Sequence, residues 1–357
     1  MALTDVFVSN TGANAHDGTS EANAYSVVEL AALAAPAGLR GNFKKSVPLV
    51  LGSQLAMTAP GTASQPVIFR GYTTNIGDAD LGWTAGGGII TTNMPTIDTS
   101  TFDIAVGQAN WIFQDIDITG ANVGGSVITL GLGNLMTNCR VVNSGNNALA
   151  RGIICANNSN IFHCDIETTG ATSGACVVSL RDGSLVGCRI KSKTSQGASS
   201  NQSGAAYIGN TFYECGDDAI FIAAVDQYVH FNTIVNNIGS AVKIAAHSHT
   251  SIYGNMITGN AVPIERSSAL PAYYAYNRTR DNTGAAINLG DWPELNFITT
   301  DTGGDETDYN DAAAGDFRLV SGSPGDGAGP QGQNIGALAT MAASGGGGAF
   351  GMMGMVG

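Results

Sequence analysis

The chain has 357 residues, 43% hydrophobic and 12% charged, with 49 Gly and a formal charge of −13 from 28 Asp and Glu against 15 Lys and Arg. So acidic a chain, with no dense basic run, is excluded as a phosphate-reading nucleic-acid binder, and no stretch is apolar for long enough to cross a membrane as a helix. One period running through most of the length argues for a single elongated domain.

Residues 4–24 give one short strand and then a polar, Gly-containing loop. Ser26-Val27-Val28-Glu29 is a capping box that opens a short helix to about Ala35, closed by Pro36 and Gly38. Its apolar face (Val27, Leu30, Ala31, Ala34) predicts a lid over an open sheet end, so residues 1–45 are an N-terminal strand and capping helix. Met1 to Val8 shows no basic n-region and no apolar run of signal-peptide length, so the product is expected to be made in a host cytoplasm without a signal peptide. The next strands are Pro48 to Gly52 and Gln65 to Gly71, each with a proline at its head, where a missing N–H does least harm. The pattern weakens into a Gly-rich loop from Leu81 to Thr101, apart from Ile89-Ile90, and resumes at Phe102.

From Trp111 to about Leu289 the chain repeats itself. Similar segments begin at Gln114, Cys139, Cys164, Cys188, Asn210, Asn232, Asn255 and Asn277, spaced by 25, 25, 24, 22, 22, 23 and 22 residues. A later apolar patch recurs as well, as in Ala219-Ile220-Phe221-Ile222 and Ala241-Val242-Lys243-Ile244, with alternate residues turned inward. The repeats are rich in Asn, Gly, Thr and Ser and hold no run of helix formers, which excludes an α-solenoid. The fold predicted is all-β, a single-stranded right-handed parallel β-helix over residues 46–300, with roughly eleven turns and a length on the order of 50 Å. Cys139, Cys164 and Cys188 share one offset and predict a ladder of buried thiols; Cys155 and Cys176 suggest a second column.

Candidate chemistry is sparse. Cys215-Gly216-Asp217-Asp218 supplies paired carboxylates, and Lys243 lies one repeat further on. Arg140, Asp165 and Arg189 stand at one outward offset with alternating charge, which reads as a surface ion-pair ladder worth little per pair. His247-x-His249 lacks a third ligand for zinc, and no Gly-rich phosphate loop is present, so neither a metal nor a nucleotide cofactor is expected. Residues 301–340 form a closing segment; Asp301, Asp305, Glu306, Asp308, Asp311 and Asp316 make it acidic without calcium-hand spacing. Residues 341–357 are a Gly-rich tether ending in Phe350, Met352, Met353, Met355 and Val356, which predicts a partner-docking tail.

The opening DVFVSNTGANAHDGTSEANAYSVVELAALA and the closing Asp316-Phe317-Arg318-Leu319-Val320-Ser321-Gly322-Ser323-Pro324, with Gly329 and Asn334-Ile335-Gly336-Ala337, resemble the pectin-lyase-like superfamily of right-handed parallel β-helix proteins. The resemblance covers roughly residues 4 to 338 and implies the fold; the fold itself hosts lyases, hydrolases, epimerases and non-catalytic virion proteins. Gly216-Asp217-Asp218 is similar to a segment of the polygalacturonase family, in which such carboxylates divide acid and base roles. That family also needs Gly-His-Gly one turn on, where this chain has Gly239-Ser240. β-Helices made without signal peptides resemble bacteriophage spike, fibre and decoration proteins. The primary expectation is therefore a non-catalytic virion component, trimeric and attached to other virion proteins through the tail. The alternative is a polysaccharide-binding adhesin or polysaccharide-degrading lyase or hydrolase, using an exposed strip near Asp217, Asp218 and Lys243.

Overall fold

The computed structural model describes residues 3–10, 17–32, 38–58, 60–79, 82–83, 89–90, 93–245, 249–266, 272–275, 277–280, 282–283, 309–311 and 316–320. Strands recur as a three-step cycle, and like strands of successive cycles pair in parallel. Among the described residues the first sheet has 12 strands, the second 10 and the third 9. Between Trp111 and Arg266 the cycle completes seven regular three-stranded turns, and the turns before it are less regular. The protein is an all-β parallel β-helix. Of the roughly eleven turns expected from the period, the stretch 284–298 lies outside the described residues.

Alternation along each strand turns one side chain in and the next out, so the interior is three stacks in strict register. The first sheet stacks Phe69, Phe113, Met136, Ile161, Leu185, Tyr207, Val229 and Ile252. The second stacks Ile97, Ile118, Val141, Ile166, Ile190, Phe212, Ile234 and Ile257. The third runs from Leu55 and Ile104 through Ile128 and Ile153 to Ile220, Val242 and Ile264. No member of these stacks is more than 3% exposed. At about 1.5–3 kcal/mol per buried aliphatic or aromatic side chain, these stacks are the main driving force for coiling. β-Branched residues suit them because they pack well against like neighbours on a pleated surface.

In the seven regular turns the corner between first and second sheets is two residues long, and its first residue is left-handed: Asp115, Asn138, His163, Gly187, Gly209, Phe231 and Gly254 have φ between 52° and 64°. Gly, Asn and Asp adopt this readily, whereas His163 and Phe231 do so against a steric cost. Each ring lies over a glycine of the next turn, since a Cβ on Gly187 would sit 2.7 Å from His163 Nδ1 and one on Gly254 2.7 Å from Phe231 Cδ1. The second corner residue points inward. From Cys139 it reads Cys, Cys, Cys, Asn, Asn, Asn, Asn, ending at Asn277, and all are buried. The backbone N–H of Cys139 donates to Cys164 Sγ and that of Cys164 to Cys188 Sγ, both at 3.4 Å. Cys188 N then donates to Asn210 Oδ1 at 2.9 Å, and the same bond repeats to Asn232, Asn255 and Asn277. A second file, Asn237, Asn260 and Asn282, satisfies the next corner, with Cys215 N donating to Asn237. Buried corner amides are thus paired by side chains where no ladder reaches them.

Three readings of the sequence need correction. The first repeat starts at Ile116 and not Gln114, because Asp117 pairs with Arg140. Cys155 and Cys176 are not one column: Ile153 pairs with Val177, so Cys176 lies opposite Gly152 and Cys155 three residues further along. Arg140, Asp165 and Arg189 do align, yet they are no surface ladder, because the Asp165 side chain is only 5% exposed and lies 3.6 and 3.3 Å from the two guanidiniums.

Thr4–Ser9 is itself a strand of the first sheet, in parallel with Leu39–Lys44. A helix of six residues, Val27–Ala32, follows it, with Ser26 Oγ accepting from Glu29 N at 3.1 Å as the capping box requires. Leu30 packs into the space left by Gly41, and Ala31 O accepts from Thr58 N at 3.1 Å. The expected continuation to Ala35 lies outside the described residues. Tyr309–Asp311 and Asp316–Leu319 pair antiparallel.

Candidate functional site

In the seven regular turns the connections from the second sheet to the third vary most, from eight residues at 169–176 to three at 259–261. Variable corners beside a rigid sheet are where such a fold places chemistry. The connection 214–219 carries Asp217 and Asp218 and is held against its neighbours without slack. A Cβ on Gly216 would lie 2.4 Å from Thr194 Cα, and one on Gly239 would lie 2.6 Å from Asp218 N. Glycine is therefore required at both positions for the corners to stack. The next corner meets the Asp pair with Ser240, whose N–H donates to Asp218 Oδ1 at 2.9 Å.

The structure brings the three predicted residues together. Lys243 Nζ lies 4.0 Å from Asp218 Oδ2 and 3.2 Å from Glu265 Oε2. Ser240 Oγ donates to Glu265 Oε2 at 2.7 Å, and Gln196 Nε2 donates to Asp217 Oδ2 at 3.1 Å. The network crosses four successive turns and holds three carboxylates against one ammonium. Glu265, Ser240 and Gln196 were not singled out in the sequence. The signal for Glu265 was its offset, since Val262–Arg266 continues the register of the Lys243 strand and sets Lys243 opposite Glu265.

Burial pushes the Asp218 carboxyl above its ordinary range despite the Ser240 N–H and the Lys243 charge. Glu265 is held below its ordinary range by the Ser240 hydroxyl first and by Lys243 second. Lys243 is raised, chiefly by its hydrogen bond to Glu265 and further by Asp218. At neutral pH Lys243 is therefore a proton donor and a cation, not a general base. Asp218 is 3% exposed with one oxygen committed to Ser240, so it is not presented to a glycosidic oxygen as a hydrolase acid must be. Phe221 stands opposite Lys243 on one side and Ser199 on the other, so Ser199, Phe221, Lys243 and Glu265 form one outward row on the third sheet.

A second charged strip lies on the outside of the second sheet. Asp117, Arg140, Asp165 and Arg189 alternate along it, and the Arg189 guanidinium stacks 4.9 Å from the Tyr213 ring centroid. Desolvation, outweighing Arg189 and then Arg140, pushes Asp165 up to about 6. Further along, Thr233, Val235 and Met256 are buried, so the strip ends at Tyr213. A shallow groove at its other end is lined by Asp98, Ser100, Thr119, Val142 and Ser144.

Among the described residues no group of three His, Cys, Asp or Glu side chains is set to hold a metal ion, and no helix is long and apolar enough to cross a membrane. His247 lies outside the described residues, and His249 Nδ1 sits 3.4 Å from Asp226. The predicted docking residues Phe350, Met352, Met353, Met355 and Val356 also lie outside them.

No protein-family model matches the sequence, and no curated protein matches it. The fold is similar to solved structures. A pectate lyase, Pel9A, superposes with a TM-score of 0.60 at 12% identity, over 94% of this chain and 96% of the other. A rhamnogalacturonan lyase superposes with a TM-score of 0.58 at 11% identity, over 86% and 90%. At such identities the likeness is one of fold: this chain is a parallel β-solenoid whose fold resembles that of the pectate lyase.

Proposed function

We propose that the protein binds a polysaccharide along the outward row of the third sheet. The observation that carries this is the hydrogen-bonded corner in which Asp217, Asp218, Lys243 and Glu265 meet beside Phe221. A ring face, an ammonium and fixed carboxylates on one rigid strip suit a pyranose chain. The apolar face of a sugar rests on the aromatic ring, and its hydroxyls exchange hydrogen bonds with charged groups, which make the stronger ones. The pectate lyase and the rhamnogalacturonan lyase on which this chain superposes are polysaccharide lyases by name, which supports a glycan as the ligand class. Because Lys243 keeps its proton between two carboxylates, the role supported is recognition without cleavage.

Affinity electrophoresis in gels containing polygalacturonate, rhamnogalacturonan or xylan tests the reading, alongside an assay for unsaturated and reducing ends. Retardation in at least one gel, weakened about tenfold by Lys243→Ala or Asp217→Ala, is the expected result. No retardation in any gel would sink it, and product ends that disappear in Lys243→Ala would replace recognition with catalysis. The docking tail of the virion role expected from the sequence lies outside the described residues, and no observed feature favours that role.

A further inference from the structure

The outer face of the first sheet carries chemistry that the strip on the third sheet does not use. On one row Tyr228, Ser251 and Tyr273 occupy consecutive turns, and the two tyrosines are 45% and 49% exposed. On the adjoining row His230 pairs with Tyr253, both half-buried. The rings of Tyr228, His230, Phe231 and Tyr253 form one connected set. The His230 ring centroid is 5.9 Å from that of Tyr228 and 5.8 Å from that of Tyr253, and Phe231 meets Tyr253 edge to face at 5.5 Å. Phe231 is itself fixed by its left-handed corner and by Gly254 beneath it. His230 Nε2 and Ser251 Oγ are 2.8 Å apart, which holds the hydroxyl that stands between the two tyrosines. Burial keeps the His230 imidazole below its usual range, so it is neutral at neutral pH.

Exposed rings on a rigid sheet mark a contact surface. A protein interface would want a continuous apolar centre, but here the exposed row alternates ring, hydroxyl, ring, and both rings are phenols. Two turns of parallel sheet place Tyr228 and Tyr273 roughly 10 Å apart, a spacing at which alternate residues of an extended 1,4-linked pyranose chain present the same face. We infer that Tyr228 and Tyr273, with His230 and Ser251 between them, form a stacking platform for an extended neutral polysaccharide. This platform is separate from the Lys243 strip and stands whether or not that strip binds.

The test is calorimetric titration of the full chain with xylohexaose and with cellohexaose. Binding of at least one is expected, weakened about tenfold by Tyr228→Ala and by Tyr273→Ala, nearly unchanged by Tyr→Phe at either position, and unchanged by Lys243→Ala. Both substituted side chains are exposed, and a wild-type circular dichroism spectrum checks that the fold is kept. The proposal is overturned if neither hexasaccharide binds, or if the alanine variants bind like wild type. It is also overturned if sedimentation shows a wild-type dimer that Tyr228→Ala makes monomeric, since the face then belongs to a second copy. Lys243→Ala reads the other strip alone, so failure of one site is distinguishable from failure of the other.

Discussion

Asn232→Ala isolates what the side-chain ladder contributes to the solenoid. Asn232 is fully buried. Its Oδ1 accepts from Asn210 N at 2.9 Å and from Asn210 Nδ2 at 3.1 Å, and its Nδ2 donates to Tyr207 O and to Asn255 Oδ1, each at 2.9 Å. Alanine leaves the Asn210 N–H without an acceptor in a corner that water does not reach, and Tyr207 O loses a donor. At about 1–3 kcal/mol for each orphaned group, the cost is about 4 kcal/mol. For a cooperative unit of this size, each kcal/mol lowers Tm by about 2–4 °C, so a fall of roughly 8–16 °C is expected. Asn232→Cys serves as the internal control. A thiol accepts a backbone N–H at this offset where Cys164 receives Cys139 N, but it cannot replace both amide donors. The cysteine variant should therefore fall about midway. Urea unfolding followed by circular dichroism, with the slope m unchanged, gives the difference directly. A loss below about 1 kcal/mol for alanine, or equal losses for both variants, would refute the ladder as a source of stability.

Two further outcomes follow from buried titratable groups. Asp165 titrates near 6 in the folded chain against an ordinary value of 3.8, so the folded state holds its proton where the unfolded state has lost it. Its contribution is full below about pH 4 and declines as pH rises to about 6, by roughly 3 kcal/mol in all. Asp165→Asn should gain on wild type by that amount across this window in urea midpoints, and a parallel pH profile would contradict the burial argument. The six cysteines are free and buried, with Cys155 and Cys215 pushed up to about 12 by desolvation. An aromatic disulfide reagent should find no reactive thiol in the native chain and all six in denaturant; rapid native labelling would show that the columns are open to solvent.

The period, the inward alternation of Ile220 and Ile222, and the file of Cys139, Cys164 and Cys188 were legible in the sequence because a solenoid repeats one physical problem at every turn. The same buried place must be filled, so like residues recur at like offsets. The Asp217, Asp218 and Lys243 grouping could be suspected for the same reason, as those residues are one repeat apart. Register decided the rest. A shift of three residues separates Cys155 from Cys176, and two residues displaced the first repeat from Gln114 to Ile116, neither of which a period with varying loop lengths resolves. Burial was equally invisible: Arg140, Asp165 and Arg189 read as a solvated column until neighbouring turns closed over the carboxylate. Glu265, His230 and the exposed pair Tyr228 and Tyr273 gained meaning only from what stands beside them on the next turn. Composition and period thus determined that the chain coils, while lateral packing between turns decided which polar groups are withdrawn from water and which faces are left to meet a ligand.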